Sequence, residues 1–527
     1  MSDRDFDGPD TGGRALPRRD FLRTLAAAGA GGVLASLPRR TRGEETPYTA
    51  SFPDGVKCGD PAPNGAVIWT RVARPADGRP VPIVWTVATD PAMNEVVRGG
   101  VAWARDAAGH MVRLQVRGLL PDRWYHYRFD GPGAASGVGR LRTAPRLGST
   151  PDRLRYAFAS CQQRSAFYVA HRGIVQENVD FLMHLGDYIY VSDGGDTTLD
   201  RYRNRWRIFH SNPLLQELHA AVPLVAMWDD GEFYNGVDRT GPPERLAFAK
   251  QAWFEHMPVA GNRHDRVYRN FRWGKLADVV MIDVRSYRDP EVPSNVSIGG
   301  IIDGQDSRIP PGPDMFDPQR TTLGARQAQW LRRTLRRSRG QATWRFVGNP
   351  YNMNPWKIQD LAGTPGATHP NEGIYVSNEA WDDYQAERRA LLTYIQQQSI
   401  RNVVFTSGHT HIYLASELQP DFDDPRSPTV AFDFVTGSLT ADPDPRTIAP
   451  EPILIAAEGV MRDANTPYLR YVNLLDQGYA VVDATPEETI VEFRVLDTFD
   501  ANATPRTAAK FRIVNGSRVL ETLFTER

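Results

Sequence analysis

The stretch Val179-Asp-Phe-Leu-Met-His-Leu-Gly-Asp-Tyr-Ile-Tyr190 decides the fold. Its first half is a short apolar run suited to a buried strand, and at Gly186 the run stops. Asp187, Tyr188 and Tyr190 follow at once, so the strand hands polar side chains to a loop. The same design recurs along the chain. Arg155-Tyr-Ala-Phe-Ala-Ser160 leads into Cys161-Gln162, and Leu224-Val-Ala-Met-Trp228 leads into Asp229-Asp230-Gly231-Glu232. Ala277-Asp-Val-Val-Met-Ile282 precedes Asp283, Trp344-Arg-Phe-Val347 precedes Gly348-Asn349, and Asn402-Val-Val-Phe-Thr406 precedes Ser407-Gly-His-Thr-His411. Segments of helical period, from Gly324 to Leu335 and from Tyr384 to Ile395, lie between some of these runs. Strand, loop and helix in alternation argue for an α/β sandwich with its functional residues at strand ends. The tail, through Gly478-Tyr-Ala-Val-Val-Asp483 and Thr489-Ile-Val-Glu-Phe-Arg-Val-Leu496, returns to strands that complete a sheet.

Upstream the pattern changes. Ala66–Val72, Val81–Ala88, Met111–Val116 and Trp124–Phe129 are β-branched or aromatic runs, separated by turn residues such as Asp60-Pro61-Ala62-Pro63 and Gly131-Pro132-Gly133. They predict an all-β domain of immunoglobulin or fibronectin type over residues 46–147, joined by the linker Arg142–Pro151 to an α/β catalytic domain over 148–527. Residues 1–45 read differently. Pro17-Arg18-Arg19-Asp20-Phe21-Leu22 precedes a small, weakly apolar run from Thr24 to Leu37, which resembles a twin-arginine export signal. That run is too short for a stable membrane anchor, and no later stretch is long and apolar enough to span a bilayer. The expectation is export by the twin-arginine translocase to a periplasmic, wall-associated or secreted location.

Composition narrows the function. The chain has 527 residues, a formal charge of −1, 41% hydrophobic and 24% charged residues, which is the balance of an ordinary multidomain globular protein. Near-neutrality gives no electrostatic case for nucleic acid. Two cysteines, Cys58 and Cys161, are too few for a disulfide scaffold or a Cys-rich zinc module. In an exported protein a Cys58–Cys161 disulfide is one reading of the pair; a buried thiol and a metal ligand is the other.

The strand-end clusters share one type of content. Cys161, His184, Asp187, Tyr190, Asp229, Asp230, Glu232, His409 and His411 are carboxylates, imidazoles, a phenol and a thiol, the donors of hard and borderline metals. Any one of them alone is more often a core residue or a turn. Four clusters in series, each directly after a buried strand, point to a binuclear metal site. Two neighbouring cations can hold a phosphoryl group and activate water for in-line displacement.

The ordered set Ser160-Cys161-Gln162, Gly186-Asp-Tyr-Ile-Tyr190, Trp228-Asp-Asp230, Asp283-Val-Arg-Ser-Tyr-Arg-Asp289, Leu323-Gly-Ala-Arg-Gln-Ala-Gln-Trp-Leu331, Gly348-Asn349 and Ser407-Gly-His-Thr-His411 resembles the alkaline phosphatase D family, a branch of the calcineurin-like metallophosphoesterases. The resemblance implies a four-layer metallophosphoesterase-type α/β sandwich. It also implies an Fe(III) paired with Ca(II), and hydrolysis of phosphomonoesters, phosphodiesters or both. Cys161, Tyr190 and His411 would bind iron, Asp187 would bridge the metals, and the Asp229-Asp230 pair with His409 would serve calcium. Asp230 is favoured over Asp229 because it stands where related enzymes carry a metal-binding Asn. Asp187, His411 and Arg285 are the expected catalytic residues, and Arg285 and Asn349 the expected substrate contacts. Arg285 and Arg288 have two readings, as a bidentate phosphate clamp or as an ion pair with Asp283 or Asp289.

Three departures from the family pattern bear on activity. Gly231 stands where the family carries a His that contacts phosphate or protonates the leaving group, which would shift that work to His184 or Arg285. Val191 replaces a Glu. His409 replaces an Asp, and an imidazole there favours a transition metal over calcium. The expected substrate is a small or lipid-like phosphoester. The alternatives are a phospholipase-D-like diesterase and, because of Gly231, a weakly active or non-catalytic phosphate-binding relative.

Overall fold

The computed structural model describes residues 14–15, 48–164, 166–191, 198–261, 266–292, 313–358, 374–375, 380–441 and 449–527. The twin-arginine segment lies outside the described residues. Among those described, no helix is long and apolar enough to cross a membrane. The chain divides into two compact units, one formed by residues 1–146, 198–225 and 250–265, the other by 147–197, 226–249 and 266–527.

The first unit is a β-sandwich with helices added from later in the chain. Val56–Ala62, Gly65–Arg71 and Met111–Arg117 pair antiparallel in one layer. Val81–Ala88, Val96–Ala104, Trp124–Gly131 and Gly139–Arg142 form the other. The inward residues of both, among them Cys58, Ile68, Ile83, Trp85, Tyr127 and Leu141, make one apolar core. Asp60-Pro61-Ala62, expected as a turn, belongs instead to the first strand: the register shifts between Gly59 and Ala62, and Asp60 takes φ 46°. Cys58 is buried and donates to Arg140 O at 2.9 Å, and neither cysteine forms a disulfide. Helix Leu199–His210 starts at Thr198, and helix Pro213–Ala221 at Asn212, whose side chain caps Leu214 N and Leu215 N ahead of Pro213. Their inner ends enclose a buried polar knot. Lys57 Nζ lies 3.0 Å from His210 Nε2 and 3.8 Å above the Trp69 ring.

The second unit has four layers. In one sheet Leu154–Ala159 runs parallel to Phe181–His184 and antiparallel to Gln477–Ala484, after which Glu488–Leu496, Arg506–Val514 and Glu521–Thr525 follow in antiparallel order. In the other, seven described strands run in the order Arg269–Trp273, Ala277–Met281, Trp344–Tyr351, Val403–Gly408, Ala431–Val435, Tyr413–Leu418 and Leu469–Asn473. The four from Ala277–Met281 to Ala431–Val435 are parallel. Aromatic side chains join the inner faces, with Tyr156 5.3 Å from Phe346 and Phe434 5.7 Å from Phe511 by ring centroid. Val280, Val347, Val403 and Phe405 point outward onto Leu331 and Leu335 of helix Gly324–Ser338 and Leu391, Leu392 and Ile395 of helix Gln385–Gln397. Both faces of these parallel strands are therefore covered, which is why the sequence shows continuous apolar runs there. Helix Val169–Gln176 covers the first sheet from outside, where Gly173 lets Tyr479 approach.

Buried imidazoles, His171 and His210 among them, make stability pH-dependent. His171, its Nε2 2.8 Å from Gln162 Oε1, is pushed by burial down to about 3. Burial, then the Lys57 charge, takes His210 down to about 4. Both are neutral in the fold, whereas the unfolded chain takes up the proton near pH 6.5, so stability is whole above that pH and falls below it. Each contributes a loss of about 1.4 kcal/mol per pH unit between about pH 6.5 and its folded value. Denaturant unfolding at pH 7 and pH 5 measures it, and His171→Gln is expected to flatten the dependence.

Candidate metal centre

Parallel strands open their carboxyl ends at one edge, and here the two sheets of the second unit meet at that edge. Ser160, just past Leu154–Ala159, bridges Ser438, and its Oγ accepts from His409 N at 3.3 Å. Met227 N donates to His184 O at 2.9 Å, which carries Asp229 and Asp230 alongside the loop of Asp187. The loops come close enough to require glycine at 186. Its φ is 107°, and a Cβ there would lie 2.3 Å from Asp229 N.

The strand-end residues converge into two sets of donors. Ligand atoms of Cys161, Asp187 and His411 lie within 4.8 Å of one another, as do those of Asp187, Asp229, Asp230 and His409. Asp187 belongs to both. Tyr190 completes the first set: its hydroxyl donates to Asp187 Oδ2 at 3.1 Å and lies 3.2 Å from His411 Nε2. Cys161 Sγ lies 3.4 Å from Asp187 Oδ2. All seven residues expected from the sequence are thus brought together. Four of them, Cys161, Asp187, His409 and His411, take φ between 53° and 72°, a left-handed backbone that side chains seldom adopt.

The electrostatics fit a cation. Burial, then the charges of Asp230 and Asp229, pushes the Asp187 carboxyl far above its ordinary range. Burial and the Asp187 charge do the same to the Cys161 thiol and the Tyr190 phenol. A thiol, a phenol and carboxylates buried together are costly as anions unless a positive charge joins them. Burial alone would also raise Asp229, but Arg285 and His409 hold it well below its ordinary value. The Arg285 guanidinium is 1% exposed, bonds Asp229 Oδ1 through Nε, and reaches Asp230 Oδ2 at 3.6 Å. The other Asp229 oxygen lies 2.8 Å from His409 Nδ1.

Other residues stand differently from their sequence reading. The partner of Arg285 is Asp229, and Asp283 serves instead as acceptor for Trp228 Nε1, Arg285 N and Ser286 N. Arg288 bonds Val237 O at 2.8 Å and reaches Glu291 Oε1 at 3.3 Å. Asn349 is buried, its amide nitrogen on Ser407 Oγ at 3.1 Å and its oxygen receiving Trp381 Nε1 at 3.2 Å. His184 is buried against Tyr188, and burial takes it down to about 3, so the ring is neutral and holds no imidazolium proton to serve as general acid. Two carboxylates escaped the sequence reading as organisers. Glu232 receives the backbone N–H of Tyr188 at 2.9 Å, Asp229 at 3.0 Å and Asp187 at 3.1 Å, clamping both acidic loops. Asp433 receives Ser407 Oγ at 2.7 Å and Met353 N at 2.8 Å. For Glu232 the signal was its place one residue beyond the acidic pair, after Gly231; for Asp433, in Ala-Phe-Asp-Phe-Val, it was a lone carboxylate inside an apolar strand.

Comparison with known proteins agrees with this architecture. The family model for PhoD-like phosphatase matches residues 156–493, and that for the PhoD-like phosphatase N-terminal domain matches 38–145. The chain is 31% identical over 521 residues to alkaline phosphatase D of Bacillus subtilis (strain 168), covering 91% of this chain and 84% of that one. A solved structure of PhoD is similar with a TM-score of 0.77 at 28% identity, covering 93% of this chain and 94% of the other.

Gly231 is sterically closed. Its N–H donates to Asp187 Oδ1 at 2.8 Å, and a Cβ would lie 2.8 Å from both that oxygen and Ile189 O. Gly231→Ala is therefore expected to lower stability by about 1–3 kcal/mol and to reduce bound metal by displacing Asp187. Thermal unfolding with metal analysis checks this. An alanine variant with unchanged melting and metal content would show that the position is open after all.

Proposed function

The chain belongs to the PhoD-like phosphatase family and is a phosphoric ester hydrolase; from that premise we propose that it hydrolyses small phosphomonoesters and phosphodiesters at a binuclear metal centre built on Asp187. The observation that carries this reading is the pair of donor sets sharing that one carboxylate. Cys161, Tyr190, His411 and Asp187 would hold Fe(III), for which thiolate and phenolate are strong anionic donors. Asp187, Asp230 and His409 would hold the second cation, and the imidazole favours a transition metal over Ca(II). Cations held there supply Lewis acidity toward a phosphoryl group and toward the attacking water.

The remaining residues act on these ligands. Asp229, 2.8 Å from His409 Nδ1, holds that ring against the donor set. Arg285, committed to Asp229 and packed 5.1 Å over the Tyr351 ring, is assigned to positioning Asp229 rather than to gripping phosphate. Asn349 likewise steadies Ser407, at the root of the loop bearing His409 and His411. With no side chain at 231 and His184 neutral, departure of the alcohol relies on its own acidity, so aryl esters should outpace alkyl esters. The segment Pro17-Arg18-Arg19-Asp20-Phe21-Leu22 supports export by the twin-arginine pathway.

Metal analysis with assays on p-nitrophenyl phosphate and bis-p-nitrophenyl phosphate tests the proposal. The protein is expected to contain iron and to show visible phenolate-to-iron absorption. Tyr190→Phe should abolish the colour, and Cys161→Ser should lower iron content and rate by at least about tenfold. Iron-free protein, inactive on both esters after iron, calcium and other divalent metals are supplied, overturns the reading. The ratio of the two rates separates a monoesterase from a diesterase.

A further inference from the structure

Helix Gly324–Ser338 carries more arginine than its packing uses. Its inner face, with Gln327, Leu331, Thr334, Leu335 and Ser338, is buried. Arg326, Arg333, Arg336 and Arg337 are exposed, and among the described residues no carboxylate lies within ion-pair distance of any of the four. Arg326, Trp330, Arg333 and Arg337 follow at intervals of four, three and four, so they form one straight stripe about 16 Å long.

Beside the stripe lies a cleft of about 420 Å³, lined by Trp330, Arg333 and Arg337 from the helix and by Asn270, Arg272 and Gln341 opposite. Arg272 is recessed in it. One terminal nitrogen is held by Gln341 Oε1 at 2.9 Å, the other by Gly274 O at 3.1 Å and by Gln341 O, and its Nε is buried without a hydrogen-bond partner among the described residues. The cleft's carboxylate, Asp278, is buried and accepts from Asn270 Nδ2 at 2.9 Å. Three guanidinium groups thus face one carboxylate. Trp330 is braced by Tyr268 at 4.9 Å, with Arg266 4.3 Å from the Tyr268 ring.

The stripe has a direction. At the start of the helix Gln327 exchanges hydrogen bonds with Asp283, two residues before Arg285 at the donor cluster. At its end Ser338 bonds Arg345, at the opposite edge of the sheet. The arginines therefore run down the height of the sheet, starting from the edge that carries the metal ligands.

We propose that this cleft is a binding track for a linear polyanion bearing phosphate groups in series. Guanidinium forks match phosphate oxygens in pairs. Arg272, Arg333 and Arg337 line the cleft, and Arg326, outside it, continues the same row about 10 Å further along the helix, so the row of cations is longer than one anion. A flat anionic lipid surface would engage protruding cations, whereas Arg272 lies in the cleft.

The test uses the full metal-loaded protein and fluorescently labelled inorganic polyphosphate as probe. Binding should weaken steeply with salt, and Arg333→Gln/Arg337→Gln together should lose at least tenfold in affinity. Their log–log salt slope should be shallower by about two units, one for each phosphate contact removed. Hydrolysis of p-nitrophenyl phosphate and the melting temperature should stay as in the wild type, and each single variant should fall between. Unchanged binding in the double variant overturns the proposal. So does displacement by inorganic phosphate at an equal concentration of phosphate groups, which marks a single-anion site. Binding to phosphatidylglycerol vesicles but not to polyphosphate also overturns it, in favour of a lipid surface.

Discussion

One carboxylate holds the site together. Asp187 faces Cys161 and Tyr190 with one oxygen and receives Gly231 N with the other, so both donor sets are built around its position. That position is unnatural for a free chain, because Asp187 takes φ 53° and stands among Asp229, Asp230 and Glu232. A left-handed residue costs about 1–3 kcal/mol unless its surroundings over-determine it. The surroundings do. Glu232 ties Asp187 N, Tyr188 N and Asp229 N to one carboxylate, and Gly186 lets the loops touch. The three Glu232 contacts are to backbone, so the loops keep their course while Asp187 Oδ2 faces the donors of the proposed centre.

What the sequence made legible follows from this division of labour. Cys161, Asp187, Tyr190, Asp229, Asp230, His409 and His411 stood out because each follows a strand buried on both faces, where a polar side chain has no packing reason to be. The parallel order of those strands then brings their ends to one edge. Glu232 and Asp433 stood out less, because they bond backbone and hydroxyl groups from other segments. Arg285 shows the limit most plainly. In sequence its nearest acids are Asp283 and Asp289, but its partner is Asp229, which reaches it through the fold. Helix Leu199–His210 was also hidden, since its buried face mixes Arg203 and His210 with Tyr202, Trp206 and Phe209, which blurs the apolar periodicity.

The end of strand Val56–Ala62, expected as a turn at Asp60-Pro61-Ala62, was misjudged for a related reason. Pro61 and Pro63 read as turn punctuation, whereas the register shift at Gly59–Ala62 accommodates the proline within the ladder. Local chemistry named the residues correctly and misjudged only the pairing that surrounds them. The same holds for Gly231. Its identity was visible as a departure from the family pattern, but only the packing of Ile189 O and Asp187 Oδ1 explains why glycine, and not another small residue, stands there.

Net charge is a poor guide to such a chain. The formal −1 counts Asp187, Asp229, Asp230 and Glu232 at full weight, although all four are buried. In the centre proposed here their charge would be cancelled by cations, and none of it would reach solvent. The arginines of helix Gly324–Ser338 are counted equally, yet Arg326, Arg333, Arg336 and Arg337 are exposed and act on solvent directly. A near-zero sum therefore conceals a segregation of signs, acids inward at one edge of the sheet and bases outward along one helix. The field that a phosphate-bearing molecule meets is set by the exposed terms, and on that face it is positive.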